Sequence, residues 1–249
     1  MTGSYAISDA CRMESHKLRT LRSNWGGLAL AVLGAVGVSI AVGAKTTNPT
    51  GDQTNNYLAG IAIGLLVTGV LGTLVMSSEY TTGMVRSTFA AIPNRRMVLA
   101  AKACVFGAAA LVAGEIASII SFFAGRATAS AHGIVGPGIG DASVIRAILL
   151  GGVGYALIGL IGVGVGALVR HTPAAIAVMF GGVYVLAQVL GGALPAMRPY
   201  VPIAIVGESL TTVHKPGYAL PAWAGLLVLA GYAALALAAG GWRLVHRDA

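Results

Sequence analysis

Residues 57–124 read YLAGIAIGLLVTGVLGTLVM (57–76), SSEYTTGMVRSTFAAIPNRR (77–96) and MVLAAKACVFGAAALVAGEIASIISFFA (97–124). A helix that crosses a hydrocarbon core about 30 Å thick needs roughly 20 predominantly apolar residues. Both flanking runs meet that length, so the stretch reads as two membrane-spanning helices joined by a polar link. The same criterion, applied outward, selects 26–44, 145–169, 174–194 and 222–242, giving six spans. The predicted fold class is an all-α membrane protein with a polar segment at 1–25, a transmembrane domain at 26–242 and a short tail at 243–249.

Composition excludes the main alternatives. Hydrophobic residues make up 56% of the 249 positions, charged residues 10%, and mean hydropathy is +0.81. A soluble domain carries about 25% charged residues, so this chain lacks the charge to cover a water-facing surface. The 36 glycines suit close helix packing in lipid. Gly60 with Gly64, and Gly162 with Gly166, form G-x-x-x-G pairs within spans. The segment before the first apolar run is too long and polar for a cleaved signal peptide, so that run is expected to stay in the protein.

A net charge of +8 on a soluble chain would suggest nucleic acid. Here the positive residues divide between alternate loops. With both ends inside, 11 Lys and Arg fall on the cytoplasmic side and 5 outside, which the positive-inside rule favours. The expected location is the cell membrane, multi-pass, with cytoplasmic termini. Cys11, Leu18, Leu21 and Trp25 recur at helical spacing in the first segment, with Arg12, Arg19 and Arg22 on other faces. This reads as an amphipathic helix on the membrane surface or, alternatively, as a disordered basic arm. Cys11 and Cys104 are expected at different levels and unbridged.

Enzymatic motifs are weak. The five histidines are scattered without metal-ligand spacing, and no G-x-S-x-G or H-E-x-x-H occurs. GVSIAVGAKTTN around Lys45 fails as a phosphate loop, because Ala44 stands between Gly43 and Lys45. No catalytic residue, metal site or cofactor is expected in this chain.

The link at 77–96 is more than a turn. Val85, Phe89 and Ile92 share one helical face. Pro93 ends that helix and Asn94 is placed to cap the next. Glu79 has Arg86 and Arg95 within local reach for a charge pair. This reads as a short amphipathic helix held under the membrane, which a cytoplasmic partner could push, or, alternatively, as an ordinary interfacial loop helix with solvated charges.

The run E-Y-x-x-G-x-x-R-x-x-x-x-x-x-P-x-R, followed by a basic residue opening a long apolar helix, resembles permease subunits of type-2 ABC exporters. It matches at Glu79, Tyr80, Gly83, Arg86, Pro93, Arg95 and Lys102. Residues 17–23, K-L-R-T-L-R-S, resemble the entry of that family's N-terminal surface helix into the first span. The resemblance covers nearly the whole chain. It implies a dimeric membrane domain, formed with a second copy or a related permease, bound to two copies of a separate ATPase that holds ATP and Mg. The matching residues would then be the ATPase-coupling region, with Gly83 allowing a tight turn. The implied cargo is hydrophobic or amphipathic: a drug, lipid or peptide.

Glu115 is the acidic residue deep in a span, a functional-site candidate by default. Gln188 in the fifth span is its candidate hydrogen-bonding neighbour. Glu115 either contacts substrate, carries a proton or packs as a structural polar group. The alternatives to the exporter reading are an ion-coupled secondary transporter using Glu115 and a non-transporting immunity or anchor protein. Residues 195–221 hold five of the nine prolines. They are expected to form an outer loop in which Tyr200 to Val213, fairly apolar but too short to span, is a short helix or re-entrant segment or, equally, part of a simple structured loop.

Overall fold

Polar residues punctuate the helices, and their positions set the lengths of the spans. A computed structural model describes residues 7–20, 22–47, 51–212 and 220–246. Among them the secondary structure is entirely helical: α1 (Ile7–Thr20), α2 (Arg22–Lys45), α3 (Gln53–Tyr57), α4 (Ile61–Thr81), α5 (Met84–Ala91), α6 (Arg95–Ala131) and α7 (Ala142–Val169) come first. Then follow α8 (Thr172–Ala177), a π-helical stretch (Val178–Leu186), α9 (Ala187–Ala193), a 3-10 turn (Pro195–Tyr200), α10 (Pro202–Ser209) and α11 (Ala222–His246). Six of these stretches are long and apolar enough to span a membrane: Ser23–Lys45, Ile61–Thr81, Arg95–Ala131, Ala142–Val169, Thr172–Ala193 and Ala222–His246.

The span boundaries differ from the apolar runs for local reasons. The second span starts later than residue 57 because Asp52 caps a separate helix, accepting from the Asn55 N–H at 3.1 Å. It ends later than 76 because Ser78 and Thr82 hydroxyls bond back to the Leu74 and Ser78 carbonyls at 2.6 and 2.8 Å. Such back-bonding satisfies the hydroxyls inside the helix rather than in a competing turn. Gly83, at φ 73°, then turns the chain in the left-handed region, which glycine enters without steric cost. As the sequence predicts, Asn94 caps α6, accepting from the Met97 N–H at 3.2 Å. With 37 residues, α6 is about 55 Å long, so it overruns a 30 Å core and extends past the apolar run at 97–124 to Ala131. The expected tail is helical through His246.

α7 lies at the centre, packed on α4, α6 and α11. Its glycines let backbones meet: a Cβ on Gly162 would strike the Gly69 carbonyl, and one on Gly166 the Thr73 carbonyl of α4. Gly60 likewise sits on the Ala35 carbonyl, and Gly64 on the Tyr155 hydroxyl. Both G-x-x-x-G pairs are therefore used for packing within one chain.

The described part of the segment after the fifth span, residues 195–212, is mostly helical and inserted. α10 buries Pro202, Ile205, Val206 and Ser209, and Val206 contacts Gly154. Gly154 lies 12 residues into α7, roughly 18 Å from its start, so α10 dips between the spans. Asp52 anchors its exit, accepting from the Thr212 N–H and hydroxyl at 2.6 and 2.9 Å. The part of the expected outer loop at 213–219, Leu21 and the last three residues lie outside the described residues.

Candidate functional site: a buried charge cluster at one end of the bundle

α1 reads as amphipathic, but the face it buries is Ala10, Glu14 and Leu18, at i, i+4 and i+8. Of the four residues expected on its apolar stripe, Leu18 is buried, Cys11 half-buried and Trp25 exposed. α1 packs chiefly along α6, so a carboxylate faces the protein.

Four charged side chains from three helices meet there. The Lys102 ammonium, on α6, donates to Glu79 at 2.7 Å and to Glu14 at 2.8 Å. The Lys17 ammonium donates to Glu79 at 3.0 Å and Glu14 at 3.2 Å. Lys17 also reaches the Thr88 hydroxyl of α5 at 3.1 Å, which in turn donates to Glu79 at a long 3.5 Å. Side-chain exposure is 1% for Lys102, 5% for Glu14, 8% for Glu79 and 23% for Lys17. Two acids and two bases cancel, which makes burial tolerable. Burial alone lowers the Lys17 pKa, but the Glu14 and Glu79 carboxylates outweigh it and the net direction is up.

Apolar contacts seal the cluster. Ala10, Ile92, Val98 and Ala101 pack together, with Phe89 against them. Val85 and Ile92 are buried and Phe89 half-buried, so α5 does seat the predicted face. Beside the charges lies a cavity of about 270 Å³ with apolar walls from Leu71, Leu74, Val75, Val105 and Phe106.

The residues singled out by sequence do not converge on one point. Glu79 and Lys102 join in the cluster. The local pairing expected between Glu79 and Arg86 or Arg95 is overturned, because the buried ammonium groups of α1 and α6 take the carboxylate. Arg86 is exposed on α5 and Pro93 is exposed in the turn. Arg95 lies over the Phe89 ring at 5.2 Å and donates to the Leu244 carbonyl at 2.8 Å. Tyr80 lies under the Arg170 guanidinium at 5.4 Å. Arg170 ends α7 at φ 62°, its guanidinium donating to the Arg243 carbonyl at 2.7 Å, and Arg243 donates to the Leu168 carbonyl. Cations on helix C-termini satisfy terminal carbonyls and complement the dipole. The ends of α4, α7 and α11, the start of α6, and α1 and α5 thus meet at one strongly basic end of the bundle.

Glu14, Lys17 and Thr88 had no assigned role in the sequence reading. Their signal was faint: an acid and a base at i, i+3 between the apolar positions Ala10 and Leu18. The Cys11 and Cys104 thiols, expected at different levels and unbridged, lie close enough for Cys104 to act electrostatically on Cys11. Both are free, and burial first, then Cys104 and Glu14, raise the Cys11 pKa.

Glu115 packs its carboxylate against Gly152 of α7 and makes no ion pair among the described residues. Gln188 is not its neighbour: it is exposed on α9, lining a depression of about 610 Å³ with Asn55, Arg198, Glu208 and Thr211. Among the described residues no group of His, Cys, Asp and Glu is arranged to hold a metal ion. No protein-family model matches the chain, and no curated protein is significantly similar to it. Chemically the cluster is a latch, four mutually neutralising charges that fasten α1 and α5 to the ends of two spans.

Proposed function

We propose that this chain is the permease subunit of an ATP-binding-cassette exporter in the cell membrane, with both termini and the basic end of the bundle in the cytoplasm. It is not itself an ATPase in this reading. Two copies of a partner ATPase bind ATP and Mg, and a second copy of the chain or a related permease completes the pathway for a hydrophobic or amphipathic substrate.

The observation that carries the reading is the tie between α5 and the charge cluster. α5 buries one face and presents Met84, Arg86, Ser87 and Ala90 outward. A partner engaging that face pushes on Thr88, which is hydrogen-bonded to Lys17 and so linked to Glu14 and Glu79. Displacement of α5 then reaches α1, α4 and α6 together, as alternating access between two packed states requires. Arg86 serves as a contact with the ATPase and Glu79 as the internal transmitter.

The test is purification of the tagged chain from native membranes, with an ATPase subunit expected to accompany it. Arg86→Glu should weaken that association while leaving the folded permease intact. Recovery without any ATPase, or transport in vesicles that needs a pH gradient but not ATP, refutes the exporter. The latter outcome favours an ion-coupled transporter, for which the carboxylate of Glu115, in no ion pair among the described residues, is the supporting observation.

A further inference from the structure

We propose that a groove between α1, α2 and α6 holds one acyl chain of an anionic phospholipid, with the lipid phosphate at Arg19. The groove has a volume of about 630 Å³. Leu28, Val32 and Leu33 form one wall, and Val105, Val112 and Ile116 the other. Ala29, Ala108, Ala109 and Ala113 line the space between them, and their methyl groups leave it open. Leu33 and Val112 are 69% and 58% exposed, so the groove opens sideways, where a spanning bundle meets lipid.

Its length and polarity select the occupant. From Val105 to Ile116 the wall runs eleven residues, roughly 16 Å at helical rise. That is about half of a 30 Å hydrocarbon core, the depth of a single leaflet. The deep end is apolar. The other end is bordered by Ser15, Arg19 and Trp25. Arg19 is exposed and enters no ion pair among the described residues. Trp25 is 52% exposed, at the level where tryptophan anchors helices in head groups. A guanidinium above an acyl-sized groove matches a phosphodiester joined to a hydrocarbon chain. A zwitterionic head group would bring its own ammonium towards Arg19 and lose part of that attraction. The exposed Arg12, on the same helix, adds to the field.

The inference rests on the membrane placement of the six helices and is independent of the exporter reading. The full chain is reconstituted into nanodiscs containing equal phosphatidylglycerol and phosphatidylcholine. It is then released in mild detergent, and native mass spectrometry counts the lipids that stay bound. One retained phospholipid per chain is expected, phosphatidylglycerol favoured about fivefold, the factor one basic residue at the surface contributes. Arg19→Gln should bring the ratio near unity without losing the lipid. Ala109→Trp should fill the groove and abolish retention. Equal retention of the two lipids by the wild type, or no retained lipid, overturns the proposal, as does unchanged retention by Ala109→Trp. If the tryptophan variant does not fold, the head-group ratio in Arg19→Gln alone decides, and an unchanged ratio refutes the site.

Discussion

Replacing Lys102 by methionine tests whether the buried cluster is a latch or an incidental set of contacts. Lys102 is 1% exposed at its side chain and holds two carboxylates at 2.7 and 2.8 Å. The substitution keeps most of the side-chain volume but leaves Glu14 and Glu79 sharing Lys17, the most exposed member of the set. Removing one partner of a buried ion pair costs about 3–5 kcal/mol, because the remaining charge is stranded. An exposed pair contributes only about 0–1 kcal/mol. Denaturant titration of the purified protein in detergent separates the two cases. Adding Glu79→Gln to Lys102→Met removes one stranded charge, so the double variant should lose less than the sum of the single variants, with a coupling of about 1–3 kcal/mol. A local readout is cross-linking of Cys11 to Cys104 by a short bismaleimide, which should slow as α1 leaves α6. Stability within about 1 kcal/mol of the wild type, with unchanged cross-linking, would refute the reasoning.

Two further outcomes follow from other features. Gly162→Ala places a methyl against the Gly69 carbonyl and should destabilise by about 1–3 kcal/mol, as overpacking does. Gly37→Ala meets nothing within 4 Å and should be neutral or slightly stabilising; equal effects in denaturant titration would contradict the packing. The raised Lys17 pKa gives a direction in pH. Its contribution to stability is fully present below the unfolded value of about 10.4 and is lost as pH rises through the higher folded value. Protease protection of α1 should therefore hold through neutral pH and fail at strongly alkaline pH, and Lys17→Gln should remove the Lys17-dependent part of that loss.

Much of the architecture was readable because lipid imposes a simple length rule. Six apolar runs gave six helices, and Gly83, Pro93 and Asn94 punctuated the link as their backbone preferences require. The helix ends were less legible. Ser78 and Thr82 look like loop residues, yet their hydroxyls return to carbonyls one turn back. The π-helical stretch at Val178–Leu186 holds the Gly181–Gly182 pair, which weakens a helix locally but does not specify a π-helical geometry. The charge cluster was hidden for a different reason. Glu79 has two arginines nearby in sequence, and local reach favours them. Its actual partners lie 62 and 23 residues away: Lys102 comes within reach when the second and third spans pack as a hairpin, and Lys17 only once α1 docks on α6. Glycine pairs in the spans predicted close approach, but the backbone each one meets is a property of the fold.

The cluster divides into two halves that are each electrically complete. Glu14 and Lys17 sit three residues apart on α1 and already pair at 3.2 Å. Glu79 and Lys102 belong to the hairpin of the second and third spans and pair at 2.7 Å. A nascent chain can therefore deliver α1 and the hairpin to the membrane separately, with no uncompensated charge waiting for its mate. The union exchanges partners between two neutral dipoles rather than quenching two ions. Separation is equally balanced: an N-terminal helix that lifts away takes its own counterion with it. The junction can be strong in assembly and still reversible.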